Sequence, residues 1–155
     1  MDLQELINPT AVIASMRVSS KKQVLQQLAA HAAAELKLSE RSVFEVLLER
    51  ERLGSTAVGQ GIAIPHGKHP QVTQLYGLFA RLETPVDFEA VDDRPVDLVF
   101  LLLAPEDAGA DHLKALARVS RLLRNQSVVE KLRATRDAAA LYAILTEPVS
   151  TSSVA

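Results

Sequence analysis

The segment Val96-Asp97-Leu98-Val99-Phe100-Leu101-Leu102-Leu103-Ala104-Pro105 decides the class of the fold. From Leu98 to Ala104 it is apolar without alternation, and it is bracketed by the turn formers Asp92-Asp93-Arg94-Pro95 and by Pro105. Neighbouring side chains of a strand point to opposite faces, so a strand with no polar face is covered on both. The run is far too short to cross a bilayer. A central strand with helices packed over it is the arrangement that fits, an α/β layered domain.

Two shorter β-type runs precede it, Ile62 to Ile64 and Tyr76 to Leu82, with Pro65 and Pro85 as breakers. Further out the period changes to helical. Val24, Leu25, Leu28, Ala29, Ala32, Ala33 and Leu36 make one stripe, with Ser20-x-x-Gln23 as a capping box before it. A second helix starts near Ser39, turns Val43, Phe44, Val46, Leu47 and Leu48 inward, and stops at Gly54. Beyond the strands, Leu113, Leu116, Ala117, Ser120 and Leu123 repeat at helical spacing, and shorter helices are expected over Ser127 to Arg133 and Asp137 to Leu145. The order is helices, strands, helices. A Ser/Thr-rich tail, 148–155, is expected to be flexible.

Composition narrows the chemistry. The chain has 155 residues, a net charge of −2, no Cys, no Trp, two Tyr and four Phe. It lacks the basic excess that nucleic-acid backbones require and the aromatic platforms that single strands stack on, so no nucleic-acid partner is expected. Without Cys there is no disulfide, thiolate nucleophile or thiolate metal site, which fits a reducing, cytoplasmic setting. No stretch resembles a signal peptide or a membrane span, so no membrane insertion is expected.

Four of the six glycines, Gly54, Gly59, Gly61 and Gly67, crowd into the segment GSTAVGQGIAIPHGK, which also holds Ser55, Thr56, His66 and Lys68. Glycine permits tight turns and close approach of a ligand to backbone, so the segment is a candidate site. Its spacing fits neither a P-loop, which needs four residues between Gly and Gly-Lys, nor a dinucleotide fingerprint, which needs a small residue where Ile64 stands. No Gly-x-Ser-x-Gly elbow and no His-Glu-x-x-His helix is present. His66, at a strand end beside this loop, is left as the candidate nucleophile. A neutral imidazole can take a phosphoryl group on one nitrogen while an acceptor holds the proton of the other. A metal on His66, His69 and His112 is the competing reading, weakened by the absence of a nearby carboxylate to complete the ligand set.

Phosphoryl transfer needs cations and N–H donors around the moving group. Arg50 lies about 65° from the centre of the second helix's apolar arc, against about 135° for Arg52. It either reaches across the glycine-rich segment or pairs with a carboxylate such as Glu51. His112, after Asp111, sits where a helix begins, an end that attracts anions and disfavours imidazolium. It is either a neutral donor at the site or a solvent-exposed first-turn residue. His31 belongs to the boundary of the first helix, and His69, before Pro70, is expected in a loop away from the chemistry. The sequence assigns no role to Ser55, Lys68 or His69.

Taken together, Arg50-Glu51-x-x-Gly54-Ser55-Thr56 and Gly59-x-Gly61-Ile62-Ala63-Ile64-Pro65-His66-Gly67-Lys68 resemble the signature of the enzyme IIA proteins of the bacterial phosphotransferase system, in the fructose/mannitol/nitrogen-regulatory class. The resemblance extends to the Ser20-Lys21 and His112-Leu113 helix starts and covers nearly the whole chain. It implies a single-domain α/β sandwich over 1–147, with a central mixed β-sheet of about five strands flanked by helices on both faces. It implies that His66 is the phosphoryl acceptor, bearing phosphate on Nε2, that Arg50 stabilises charge, that His112 supplies a supporting hydrogen bond, and that Thr56 is the matching hydroxyl. The implied donor is a phosphorylated histidine carrier protein, and no cofactor or metal is implied. Gly67-Lys68 after the histidine, the Ser-Lys-Lys helix start and a chain with no IIB extension resemble the nitrogen-regulatory branch. There the phosphorylation state is the output, read by a potassium transporter or a sensor kinase. The alternative is a sugar-specific IIA component passing phosphate to a IIB domain. Asp93-Arg94-Pro95 departs from the Asp-Gly turn of many relatives, which implies a different turn there.

Overall fold

A computed structural model describes residues 2–147. The 148–155 tail lies outside the described residues. After a short 3-10 turn, Leu3–Glu5, the elements are β1 (Ile7–Met16), α1 (Lys21–Leu36), α2 (Glu40–Arg52), β2 (Ala57–Gly59), β3 (Ile62–Ala63), β4 (His66–His69), β5 (Tyr76–Val86), β6 (Val96–Pro105), α3 (Ala110–Leu123), α4 (Gln126–Ala134) and α5 (Ala138–Thr146). The strands form one mixed sheet of six, in the order β1-β5-β6-β3-β2, with β4 also pairing β6. β6 is its centre. Every residue from Leu98 to Ala104 is fully buried, so both faces of this strand are covered, as its unbroken apolar run requires.

The helices start where side chains replace missing backbone partners. Ser20, Ser39, Asn125 and Asp137 each accept a backbone N–H from three residues ahead. The expected capping box at α1 closes differently: Ser20 accepts from Gln23 N, but the Gln23 side chain returns to Ser19 N and Oγ rather than to Ser20. The buried face of α1 is the stripe read from the sequence, Val24 to Ala33.

Three strands exceed the expected set. β1 lies at the sheet edge, parallel to β5, and its register slips twice, between Ile7 and Val12 and between Ile13 and Met16. An edge strand tolerates Pro9, and these irregularities erase the alternation that would have revealed it. Nor does Pro85 stop its strand, although Pro105 does, as expected of a breaker. Pro85 falls where β5 and β6 lose register, between Arg81 and Val86, and Pro105 is the last residue of β6. At the turn before β6, Asp93 takes a left-handed φ of 59° while Asp92 Oδ1 accepts Arg94 N.

β3 and β4 are two halves of one strand beside β6. Ile62 faces Leu98 and His69 faces Pro105 in a single parallel register, interrupted only at Ile64-Pro65. The glycines around them serve the fold. Gly61, at φ 81°, follows Gln60, at φ 58°, in the tight β2–β3 turn. Gly67 lets α2 press against β4: a Cβ there would stand 2.4 Å from Val46 Cγ1. Gly67→Ala is therefore expected to cost about 1–3 kcal/mol of stability by overpacking. Val46→Ala in the same chain should restore part of it, in a double-mutant cycle followed by urea denaturation. Additive losses would show that this contact is slack.

Candidate functional site

His66 opens β4, directly after the Ile64-Pro65 break, and its ring is held from two sides. Nδ1 lies 2.8 Å from the Ile64 carbonyl oxygen. A carbonyl only accepts, so Nδ1 carries the proton and Nε2 the lone pair. The second contact agrees: Arg50 Nε donates to His66 Nε2 at 3.3 Å, and a guanidinium N–H can only donate. Burial holds the His66 pKa below its ordinary 6.5, and the Arg50 charge adds to this, against opposing contributions from the Ile64 carbonyl and Glu51. At neutral pH the imidazole is uncharged with Nε2 available.

Arg50 reaches the histidine from the last turn of α2, with Nη1 donating to the Gly54 carbonyl at 2.9 Å. The competing ion pair with Glu51 is not formed. Glu51 turns to the other side of the helix end, where Lys21 Nζ lies 2.9 Å from its carboxylate. The two partners of Arg50 use only two of its five N–H donors, and the rest can serve an oxyanion at His66 Nε2.

His112 stands in the first turn of α3 and is only 8% exposed, which removes the solvent-exposed alternative. Its ring centroid lies 5.7 Å from that of His66, edge to face. Burial lowers its pKa first, and repulsion from His66 when protonated and from the Lys68 ammonium lowers it further. Its Nε2 is buried and has no hydrogen-bond partner among the described residues. Leaving such an atom unpaired costs about 1–3 kcal/mol, which a ligand oxygen beside His66 would relieve. Beside Arg50 and His66 lies a cleft of about 260 Å³ whose walls also include Thr56, Val58, Ile64 and Leu116.

The remaining candidates are tied to the framework. Thr56 lines the cleft, but its hydroxyl donates to the Glu51 carboxylate, as does its backbone N–H at 3.1 Å. Ser55 Oγ donates to the Phe88 carbonyl at 2.6 Å and accepts from Ala57 N. Lys68 is exposed on β4. His69, expected in a loop, is instead the buried end of β4. Gln71 N donates to its Nδ1, and its Nε2 lies 2.9 Å from Ser42 Oγ, so the ring is a structural link to α2. His31 bonds the Thr10 carbonyl at the α1 boundary, as expected. Among the described residues no three His, Asp or Glu side chains gather in a metal-binding arrangement, and no helix is long and apolar enough to cross a membrane.

Glu51 is the residue that the sequence reading missed as a part of this region. Val43, Leu47 and Glu51 are the buried residues of α2, each four apart, so the carboxylate continues the apolar stripe. A charged residue in register with a buried stripe was the available signal.

Known proteins are similar to this chain over most of their length. A nitrogen regulatory protein of Bradyrhizobium diazoefficiens is 60% identical over 152 residues, covering 98% of this chain and 99% of its own. One from Escherichia coli K12 is 40% identical over 152 residues, covering 97% and 93%. The crystal structure of nitrogen regulatory protein IIA-Ntr from Neisseria meningitidis superposes with a TM-score of 0.88 at 40% identity, over 93% of this chain and 99% of that one. The family described as phosphoenolpyruvate-dependent sugar phosphotransferase system, EIIA 2, matches residues 5–147, and the chain belongs to it.

Proposed function

We propose that this protein is a phosphocarrier that accepts a phosphoryl group on His66 Nε2 from a phosphorylated histidine carrier protein, and that the presence or absence of this phosphate is its regulatory output. The observation that carries the reading is the tautomer: Nδ1–H is tied to Ile64 and the Nε2 lone pair faces the Arg50 guanidinium. In the transfer, the Nε2 lone pair forms the new N–P bond as the donor's N–P bond breaks. The electron pair of that bond stays on the donor ring, which leaves as neutral imidazole with its proton on the other nitrogen. The positive charge left on the His66 ring is shared with the Ile64 carbonyl through Nδ1–H. On this reading Arg50 and His112 bind the phosphoryl oxygens, a task of positioning and charge stabilisation.

A partner must dock over the cleft, and exposed apolar side chains offer footing for it: Val58 in the cleft wall, Leu113 next in sequence to His112, and Leu53 just after α2. A phosphate on His66 adds about two negative charges to the surface, enough to change which partner binds. The regulatory reading rests on the nitrogen regulatory proteins to which the chain is similar across its length. On this reading a sensor kinase or a potassium transporter reads the charge, and transfer to a sugar-specific IIB domain is slow.

Incubation with phosphoenolpyruvate, enzyme I and the carrier protein should add one acid-labile phosphate by intact mass, and His66→Ala should gain none. Equal labelling of His66→Ala would overturn the assignment. Arg50→Ala should fold normally and accept phosphate about 10- to 100-fold more slowly. An unchanged rate would remove Arg50 from the chemistry.

The pKa directions predict the pH profile. A proton on Nε2 occupies the lone pair, and the folded pKa lies below 6.5, so acceptance should hold at pH 6.5 and fall only at lower pH. For stability the sign is the same. The histidines contribute no penalty above the unfolded value of 6.5, and stability declines as pH falls below it toward the folded pKa, because the unfolded chain takes up protons first. Proton NMR titration of both rings checks this, and a midpoint above 6.5 for His66 would contradict it.

A further inference from the structure

We propose that Glu51 is a positioning residue for phosphoryl acceptance at His66: its buried carboxylate, anchored by Lys21, fixes the Thr56 segment whose backbone, through Ile64, orients the His66 imidazole. This rests on the reading of His66 as the acceptor.

The links run in one direction through the fold. Glu51 is 7% exposed, and its two oxygens receive three donors: Lys21 Nζ, Thr56 N and Thr56 Oγ1. The Thr56 carbonyl then accepts Ile64 N at 3.0 Å, and the Ile64 carbonyl accepts His66 Nδ1–H at 2.8 Å. At this point β6 holds the strand through Leu102 N, which donates to the Pro65 carbonyl at 2.9 Å, while Ile64 pairs on the other side with Thr56 and its carbonyl is left to the ring. Glu51 also steadies the other side of the imidazole. Its own carbonyl accepts Gly54 N at 3.1 Å, and the Gly54 carbonyl is what Arg50 Nη1 holds. Glu51 thus sits behind both groups that touch the histidine, through its carboxylate on the Ile64 side and through its main-chain carbonyl on the Arg50 side.

The chemistry calls for an ionised acid. A carboxylate can accept from all three donors, whereas a glutamine amide would present an NH₂ toward one of them. Lys21 is itself held, with Nζ 5.1 Å from the Phe88 ring centroid and 3.4 Å from Glu89, so the anchor joins the start of α1 to the loop before β6. Neither Glu51 nor Lys21 touches His66. Their loss should act through the tautomer and placement of the ring, and a small misplacement of a reacting group, or the wrong tautomer of a histidine, is costly in rate.

The test uses the full chain with Glu51→Gln, Lys21→Met, Lys21→Arg and Thr56→Val, reading the His66 ring nitrogens by ¹⁵N NMR and the kinetics of phosphoryl transfer from the phosphorylated carrier. Wild type should show a single Nδ1–H tautomer. Glu51→Gln should show a tautomer mixture and about a tenfold fall in kcat, with KM for the carrier unchanged, because the docking surface is intact. Lys21→Met should move in the same direction, Lys21→Arg should recover most of the loss, and Thr56→Val, which keeps the backbone N–H, should show a smaller effect. Wild-type tautomer and kcat in Glu51→Gln would overturn the proposal. Should Glu51→Gln not fold, an undisturbed His66 ring in folded Lys21→Met and Thr56→Val would overturn it equally. If wild type accepts no phosphate at all, the acceptor reading fails, while the ring nitrogens still report whether Glu51 orients His66.

Discussion

The hydrogen bond from His66 Nδ1 to the Ile64 carbonyl, 2.8 Å long, is the constraint on which the candidate site depends. It decides which ring nitrogen has a lone pair, and so where a new bond can form. The strand carrying Ile64 and His66 keeps one register along β6, with Leu102 N donating to the Pro65 carbonyl between its two halves, while Ile64 N donates to Thr56 on the other side and the Ile64 carbonyl accepts from the ring.

The surrounding elements bring the other groups to that nitrogen. The last turn of α2 delivers Arg50, and the first turn of α3 delivers His112 with the positive end of a helix behind it. β6, fully buried over Leu98 to Ala104, is the fixed surface against which β4 is registered, and Gly67 allows α2 to lie close to β4. Both histidines are held neutral chiefly by burial, which suits an acceptor imidazole and a hydrogen-bonding neighbour better than a pair of cations.

Much of this was legible in the sequence where local rules and tertiary packing agree. The α1 stripe and the Ser39 cap mark their helices, and the apolar run after Val96 marks a strand covered on both faces. β1 was not legible, because Asn8, Pro9 and two register slips at a sheet edge leave no alternation to read. β2 and β4 are too short and too rich in glycine to carry a strand signal, and their pairing with distant partners is what makes them strands. Arg50 and His112 could be placed near the site by helix geometry, but only the folded chain distinguishes a ring neighbour from an ion-paired or solvated side chain. The glycine cluster pointed to the segment that holds His66 for an incomplete reason. Gly61 makes a turn and Gly67 admits a helix, and the ring of His66 is held by a carbonyl and a guanidinium instead. Burial of Glu51 and His69 depends on contacts many residues away, which no local period encodes.

The most direct test of the account is the position of the phosphate on the His66 ring, read from phosphorus–nitrogen couplings in ¹⁵N-histidine protein phosphorylated through its carrier. The structure predicts phosphate on Nε2, with Nδ1 still protonated and bonded to the Ile64 carbonyl. Phosphate on Nδ1, or on a residue other than His66, would contradict it.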